Sequence, residues 1–178
     1  DLTGGVSLAA GAGNVLFLNG LNTGAASTLV NSGTLQIGDN LADSSSINTS
    51  LAHTAGPTVL AGTIASPAMT FGVTTLFDDT TLNATGSVNF NNTLSGQRAL
   101  TISTAGATTF GDVVGGGGNA LTTLSVNSDA GIAINGGAIT TSGAQTYSDN
   151  ATFDGATTLT SGTGGISFGG SLTGPVAT

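Results

Sequence analysis

The chain of 178 residues contains no cysteine, no tryptophan, no glutamate and no lysine. Its only basic side chain is Arg98 and its only histidine is His53. With so few cations, phosphate neutralisation is out of reach, and a formal net charge of −8 argues against nucleic acid and anionic membrane surfaces as partners. One histidine without Cys or Glu cannot assemble an ordinary zinc site. Without Glu and Lys, two strong helix formers are missing, so helix beyond a turn or two is not expected. No apolar run approaches the length of a membrane span. No basic-then-apolar leader opens the chain, so it reads as a mature product or an excerpt of something longer. The lack of cysteine suits large exported bacterial proteins that cross membranes unfolded, and many cytosolic proteins share it.

Charged residues make up 6% of the chain, against roughly 25% in ordinary soluble domains. Disordered chains combine low hydrophobicity with high charge. Here 38% of residues are hydrophobic and the mean hydropathy is +0.32, enough for a core within one domain, 1–178. The balance is Thr, Ser, Asn, Gly and Ala, interleaved with Val, Ile, Leu and Phe. The β-branched and aromatic residues favour strands, and the Gly, Asn and Asp favour tight turns.

Short alternating triplets punctuate the chain: Val6-Ser-Leu8, Leu35-Gln-Ile37, Val88-Asn-Phe90, Leu100-Thr-Ile102, Leu124-Ser-Val126, Ile132-Ala-Ile134 and Ile166-Ser-Phe168. Each puts its apolar pair on one face and a small residue, mostly polar, on the other. They are shorter than the strands of a typical sandwich. Anchors that end a strand before a turn (Phe17, Ile37, Phe71, Phe90, Phe110, Tyr147 and Phe168) recur at about 19–21 residues, with two gaps of roughly double length. Each double gap is expected to hold one degenerate unit. A longer repeat, at about 77–78 residues, aligns Leu82 with Leu159, Phe90 with Phe168, Leu94 with Leu172 and Met69-Thr70-Phe71 with Gln145-Thr146-Tyr147. Four short units would make up the long one.

These features predict an all-β, parallel β-helix (β-solenoid) with coils of about 19–20 residues and roughly nine coils in all. Stacked coils place like charges on like charges, which accounts for the neutral composition. Phe71, Phe90 and Phe110 should then form one interior ladder, extended towards Phe17 through Ile37, with Val88, Leu100 and Ile166 lining the core beside it. Neither Asp1-Leu-Thr-Gly-Gly nor Pro175-Val-Ala-Thr178 reads as a polar cap. The end coils are therefore expected to be covered by another chain or by more of the same chain.

The runs ALTISTAGATTFGDVVGG, INGGAITTSGAQTYSDNATFDGATTLTS, GGISFGGSLTG and TLVNSGTLQIGDNLADSSS resemble repeat regions of filamentous-haemagglutinin-like exoproteins and autotransporter-type adhesins of Gram-negative bacteria. The resemblance extends from about Gly13 onward. It implies a right-handed parallel β-helix in a longer array, export to the cell surface, and a part in adhesion, biofilm or fibre formation. The partners implied are neighbouring repeats, copies of the chain end to end, and host-surface or matrix glycans, without membrane insertion.

Reactive side chains are few and scattered along the chain. Asp78 and Asp79 are the only adjacent carboxylates, but neighbours on a strand point to opposite faces and FDDTT reads as a turn. Asp149 and Asp154 flank Asn150 and also read as turn residues. His53 sits in SLAHTAGP with no obvious partner. The run GDVVGGGGNA has no lysine and precedes no helix, so it reads as a loop between coils and not a phosphate cradle. No catalytic, cofactor or metal residues are assigned, and clustered Asp allows at most incidental Ca²⁺. Asn48, Asn83, Asn91 and Asn150 lie in N-x-S/T acceptor sequences. The rival readings are a self-associating filament subunit, a carbohydrate-active β-helix and an ice-binding face. Adjacent Thr pairs count against the last, because they split between the two sides of a strand.

Overall fold

The computed structural model describes residues 4–174. Among them there is no helix, and the named strands pair in parallel throughout. The chain winds into a β-solenoid of about 8 turns, with successive strands about 20 residues apart. At the usual strand spacing this gives a stack about 38 Å long. The count is one coil short of the nine expected, because several corners carry extra residues.

Each turn has three short strands joined by corners. The first face carries Val15–Phe17, Leu35–Ile37, Leu94–Ser95, Ala138–Thr141 and Thr158–Ser161, with Val114 bridging Leu94 to Ile139. The second carries Asn22–Thr23, Ser44–Ile47, Leu100–Thr104, Leu124–Ser128, Gln145–Tyr147 and Ile166–Phe168. The third runs through Leu51–His53, Met69–Phe71, Val88–Phe90, Thr108–Phe110, Ile132–Ile134, Ala151–Phe153 and Leu172–Thr173. Two long strands, Thr58–Ser66 and Thr74–Ala84, bend to serve both the first face and the second. At the bend of the former, Gly62 has φ of 74°, and a Cβ there would collide with the carbonyl of Asp43. Only glycine meets both demands.

Period-2 alternation does what it should. Leu35 and Ile37 are buried while Gln36 between them is not, and the same holds for Val88 and Phe90 around Asn89. Adjacent threonines do divide: Thr74, Thr80 and Thr108 face the interior and Thr75, Thr81 and Thr109 do not. The interior threonines hold their hydroxyls in hydrogen bonds, as buried polar groups must. Thr74 donates to the Gly72 carbonyl at 3.0 Å, and Thr108 meets Ser128 at 2.6 Å.

The aromatic ladder forms as expected. Phe90 lies in register with Phe71 and Phe110, at ring centroid separations of 5.6 and 5.7 Å. Its continuation differs. The ladder runs from His53 through the three phenylalanines to Ile134 and Phe153, all on the third face. Phe17 and Ile37 belong instead to the first face, in register with Leu60 and Leu76. Tyr147 and Phe168, with centroids 4.9 Å apart, extend a third column, Leu82–Ile102–Val126, on the second face. Val88 and Leu100 are fully buried, but Ile166 is 38% exposed, because the last coil has no neighbour beyond it among the described residues.

The long repeat is therefore not four whole coils. It aligns Phe90 of the third face with Phe168 of the second, and Leu94 of the first with Leu172 of the third. Each double gap between anchors does hold one further coil, with Leu60 in register after Ile37 and Ile134 after Phe110, and it also holds a change of face, so Phe71 and Tyr147 stand in other columns. All three faces use the same short strand and turn chemistry, so sequence similarity does not distinguish one face from the next.

Candidate functional surface

At the corners and strand ends, side chains add to the pairing of one coil with the next. The amide oxygen of Asn14 accepts from the Thr34 N–H at 3.0 Å, that of Asn22 from Ser46 at 3.0 Å, and that of Asn150 from Ser171 at 2.9 Å. Asp149 accepts from the Ser128 N–H at 2.7 Å. These contacts account for much of the wealth of Asn and Asp: those at Thr34, Ser171 and Ser128 hold backbone donors of a neighbouring coil, and Asn22 shares the Ser46 N–H with the Leu21 carbonyl.

Asp78 and Asp79 sit at the bend of Thr74–Ala84, where the pairing register shifts between Leu76 and Thr80. They serve different neighbours. Asp78 accepts from the Leu41 N–H at 3.0 Å and lies 3.9 Å from Arg98 Nε, which itself donates to the Phe77 carbonyl at 3.0 Å. Asp79 accepts from the Ala99 N–H at 2.8 Å, in the following coil. The expected turn is thus a bend within a strand, and both carboxylates cross-link coils. The loop that Asp78 holds, residues 39–43, is organised by Asp43, which accepts from the N–H groups of Asp39 and Asn40 at 2.8 and 3.1 Å. The Asp39 N–H, foremost, holds its carboxyl below the usual range.

Asp149 and Asp154 lie at opposite ends of Ala151–Phe153, so the structure does not bring them together. His53 is buried. Its Nδ1 is 2.9 Å from Thr58 Oγ1, while Nε2 has no hydrogen-bond partner. Burial pushes the imidazole below its ordinary value, opposed by the nearby carbonyls of Asn31 and Gly33. The Asn31 amide oxygen is likewise buried without a partner. The glycine run forms a loop, with positive φ at Gly115, Gly117 and Gly118, but it begins at Val114, a core residue that sequence reasoning placed in the loop. Among the described residues no three of His, Cys, Asp or Glu come together in a metal-binding group, and no helix is long and apolar enough to cross a membrane.

What the coils do bring together is a neutral surface. Every described Asp, and Arg98, lies at a corner or at the bend of Thr74–Ala84, so the flat faces carry no charge. On the second face the outward positions form two columns along the rod. One is hydroxylic at every rung from Ser44 through Thr63, Thr81, Thr101, Ser125 and Thr146 to Ser167. The other runs Asn22, Ser46, Ala65, Asn83, Ser103, Asn127. Beside this second column lies a shallow groove of about 400 Å³. Sequence reasoning missed it, because its walls come from four coils whose register is not written in any local motif. All four acceptor-sequence asparagines, Asn48, Asn83, Asn91 and Asn150, are exposed.

Comparison of the chain with protein-family models, with curated proteins and with solved structures gives no significant match.

Proposed function

We propose that this chain is a stiff, non-catalytic rod segment of an exported bacterial fibre or adhesin, displayed outside the cell. The observation that carries this reading is the uncharged flat faces of an uninterrupted coil stack. Such a stack propagates by repetition and keeps its long sides neutral, which suits a spacer or a contact surface. The resemblance of its repeats to filamentous-haemagglutinin-like and autotransporter-type adhesins supports export and surface display. The carboxylates support it too, being engaged in holding backbone N–H groups of neighbouring coils. The test is twofold. Antibodies raised to the purified chain should label intact cells of its source, and electron microscopy should show straight rods. Labelling only after lysis, or compact particles, overturns the proposal.

A second reading, end-to-end self-association, is favoured by the last described coil. Leu172 is 52% exposed there, and the strands Thr158–Ser161, Ile166–Phe168 and Leu172–Thr173 have no partner beyond them among the described residues. Unpaired parallel edges are templates for further strands. Filaments many coils long from the isolated chain support it, and rods that stay single at high concentration refute it. The terminal segments Asp1–Thr3 and Pro175–Thr178 lie outside the described residues.

A further inference from the structure

We infer that the groove on the second face is a binding site for a linear, uncharged polysaccharide. The inference deepens the adhesive reading above by naming a ligand class, and it rests on that reading. Along one wall run successive rungs of the outward column, Ser46, Ala65, Asn83 and Ser103, in register from coil to coil. The other wall is formed beyond the strand ends, where Asn48 and Pro67 stand exposed.

Three features set the chemistry. First, the polar groups of the outward rungs and of Asn48 are free, while Ser66 and Thr85 are bonded to backbone carbonyls. Among the described residues the amides of Asn48 and Asn83 and the hydroxyls of Ser46 and Ser103 make no hydrogen bond within the chain; Asn48 is tied only through its backbone N–H, to Thr23 Oγ1 at 3.2 Å. An amide presents a donor and an acceptor side by side, the pairing that neighbouring sugar hydroxyls require, and a serine hydroxyl rotates to serve either role. Second, Ala65 and Pro67 put low apolar surface on the two walls, against which the C–H face of a pyranose ring can lie. Third, no charged side chain lines the groove and the whole chain carries −8, so a neutral ligand is admitted without desolvating an ion, whereas a polyanion is repelled. The volume falls in the range of small-ligand sites, about 300–1,000 Å³.

The spacing selects a chain over a single sugar. Rungs advance by about 4.8 Å per coil. That is close to the advance of one pyranose unit along an extended, equatorially linked glycan, so one coil meets one sugar. No aromatic ring lines the groove. Each sugar is therefore held weakly, and binding strength grows with the number of sugars engaged at once, as in any multivalent contact.

The experiment is affinity electrophoresis of the intact chain in native gels. The gels contain a soluble mixed-linkage β-glucan or a galactomannan, with alginate as the polyanionic comparison. The chain is expected to be retarded by at least one neutral polymer and not by alginate. Asn83→Ala, which removes one amide, should weaken that retardation about fivefold to tenfold, the loss of one or two hydrogen bonds. Ala65→Gln, which fills the groove from its wall without adding charge, should abolish it. Asn89→Ala on the third face should leave it unchanged. Circular dichroism of each variant confirms that the coils persist. No retardation by either neutral polymer, equal retardation by alginate, or retardation that survives both groove substitutions overturns the inference. Failure here with straight rods on labelled cells leaves the rod reading standing, whereas compact particles that still bind glucan sink the rod alone.

Discussion

Phe90→Ala tests the coil register most directly. Phe90 is fully buried between two rings, tilted by 36° against Phe71 and stacked nearly parallel to Phe110 at 4°. Removing a buried phenylalanine forfeits about 1.5–3 kcal/mol of transfer free energy. Two aromatic pairs contribute about 0.5–1.5 kcal/mol each beyond their area. The sum agrees with the usual cost of Phe→Ala in a core, about 3–5 kcal/mol. Phe168 provides the internal comparison. It touches one ring, Tyr147, and is only partly buried, so Phe168→Ala should cost about 1–2 kcal/mol, from one pair and a fraction of the burial term. Urea denaturation followed by circular dichroism measures both. Hydrogen exchange should show the Phe90 loss concentrated in the coils holding Met69–Phe71 and Thr108–Phe110, since each coil is stabilised by its immediate neighbours. A Phe90→Ala cost no larger than that of Phe168→Ala would refute the ladder as a source of stability.

Asn89→Ser, on the outward side of the same strand, should change stability by no more than about 0.5 kcal/mol by the same urea assay. Gly62→Ala should cost at least about 2 kcal/mol, combining a left-handed backbone with a collision against the Asp43 carbonyl, and a neutral result would show that the loop 39–43 does not pack there. His53 predicts a pH dependence. Its folded pKa lies below the unfolded value of 6.5, so the unfolded chain binds the proton first and stability falls as pH drops below that value. The groups around the ring, Asn31, Gly33, Thr58 and Phe71, are all neutral. His53→Phe should remove the dependence just below that pH, where the carboxylates are still ionised, and denaturation midpoints compared across it would reveal any persistence.

Much of the fold was legible because the signals are local. Alternation at Leu35-Gln-Ile37 or Val88-Asn-Phe90 states which side chain is buried, whatever the strand pairs with. Anchors about one coil apart, such as Phe71, Phe90 and Phe110, state the coil length. The neutral composition states that the surface is one that can stack on itself. The face on which a strand lies is another matter. It depends on how many residues each corner consumes, and corners range from the tight bend at Gly62 to the long loop between Val114 and Leu121. Nothing in the triplets around Phe90 and Phe168 distinguishes the third face from the second, so only the wound chain separates the column of Phe17 and Ile37 from that of the phenylalanines. The groove has the same origin: Ser46, Ala65, Asn83 and Ser103 are unremarkable small residues in the sequence, and become a row because parallel pairing sets them one above another. Short-range chemistry thus determined which residues are inside and where the chain turns, while the accumulated lengths of the corners decided which residues meet.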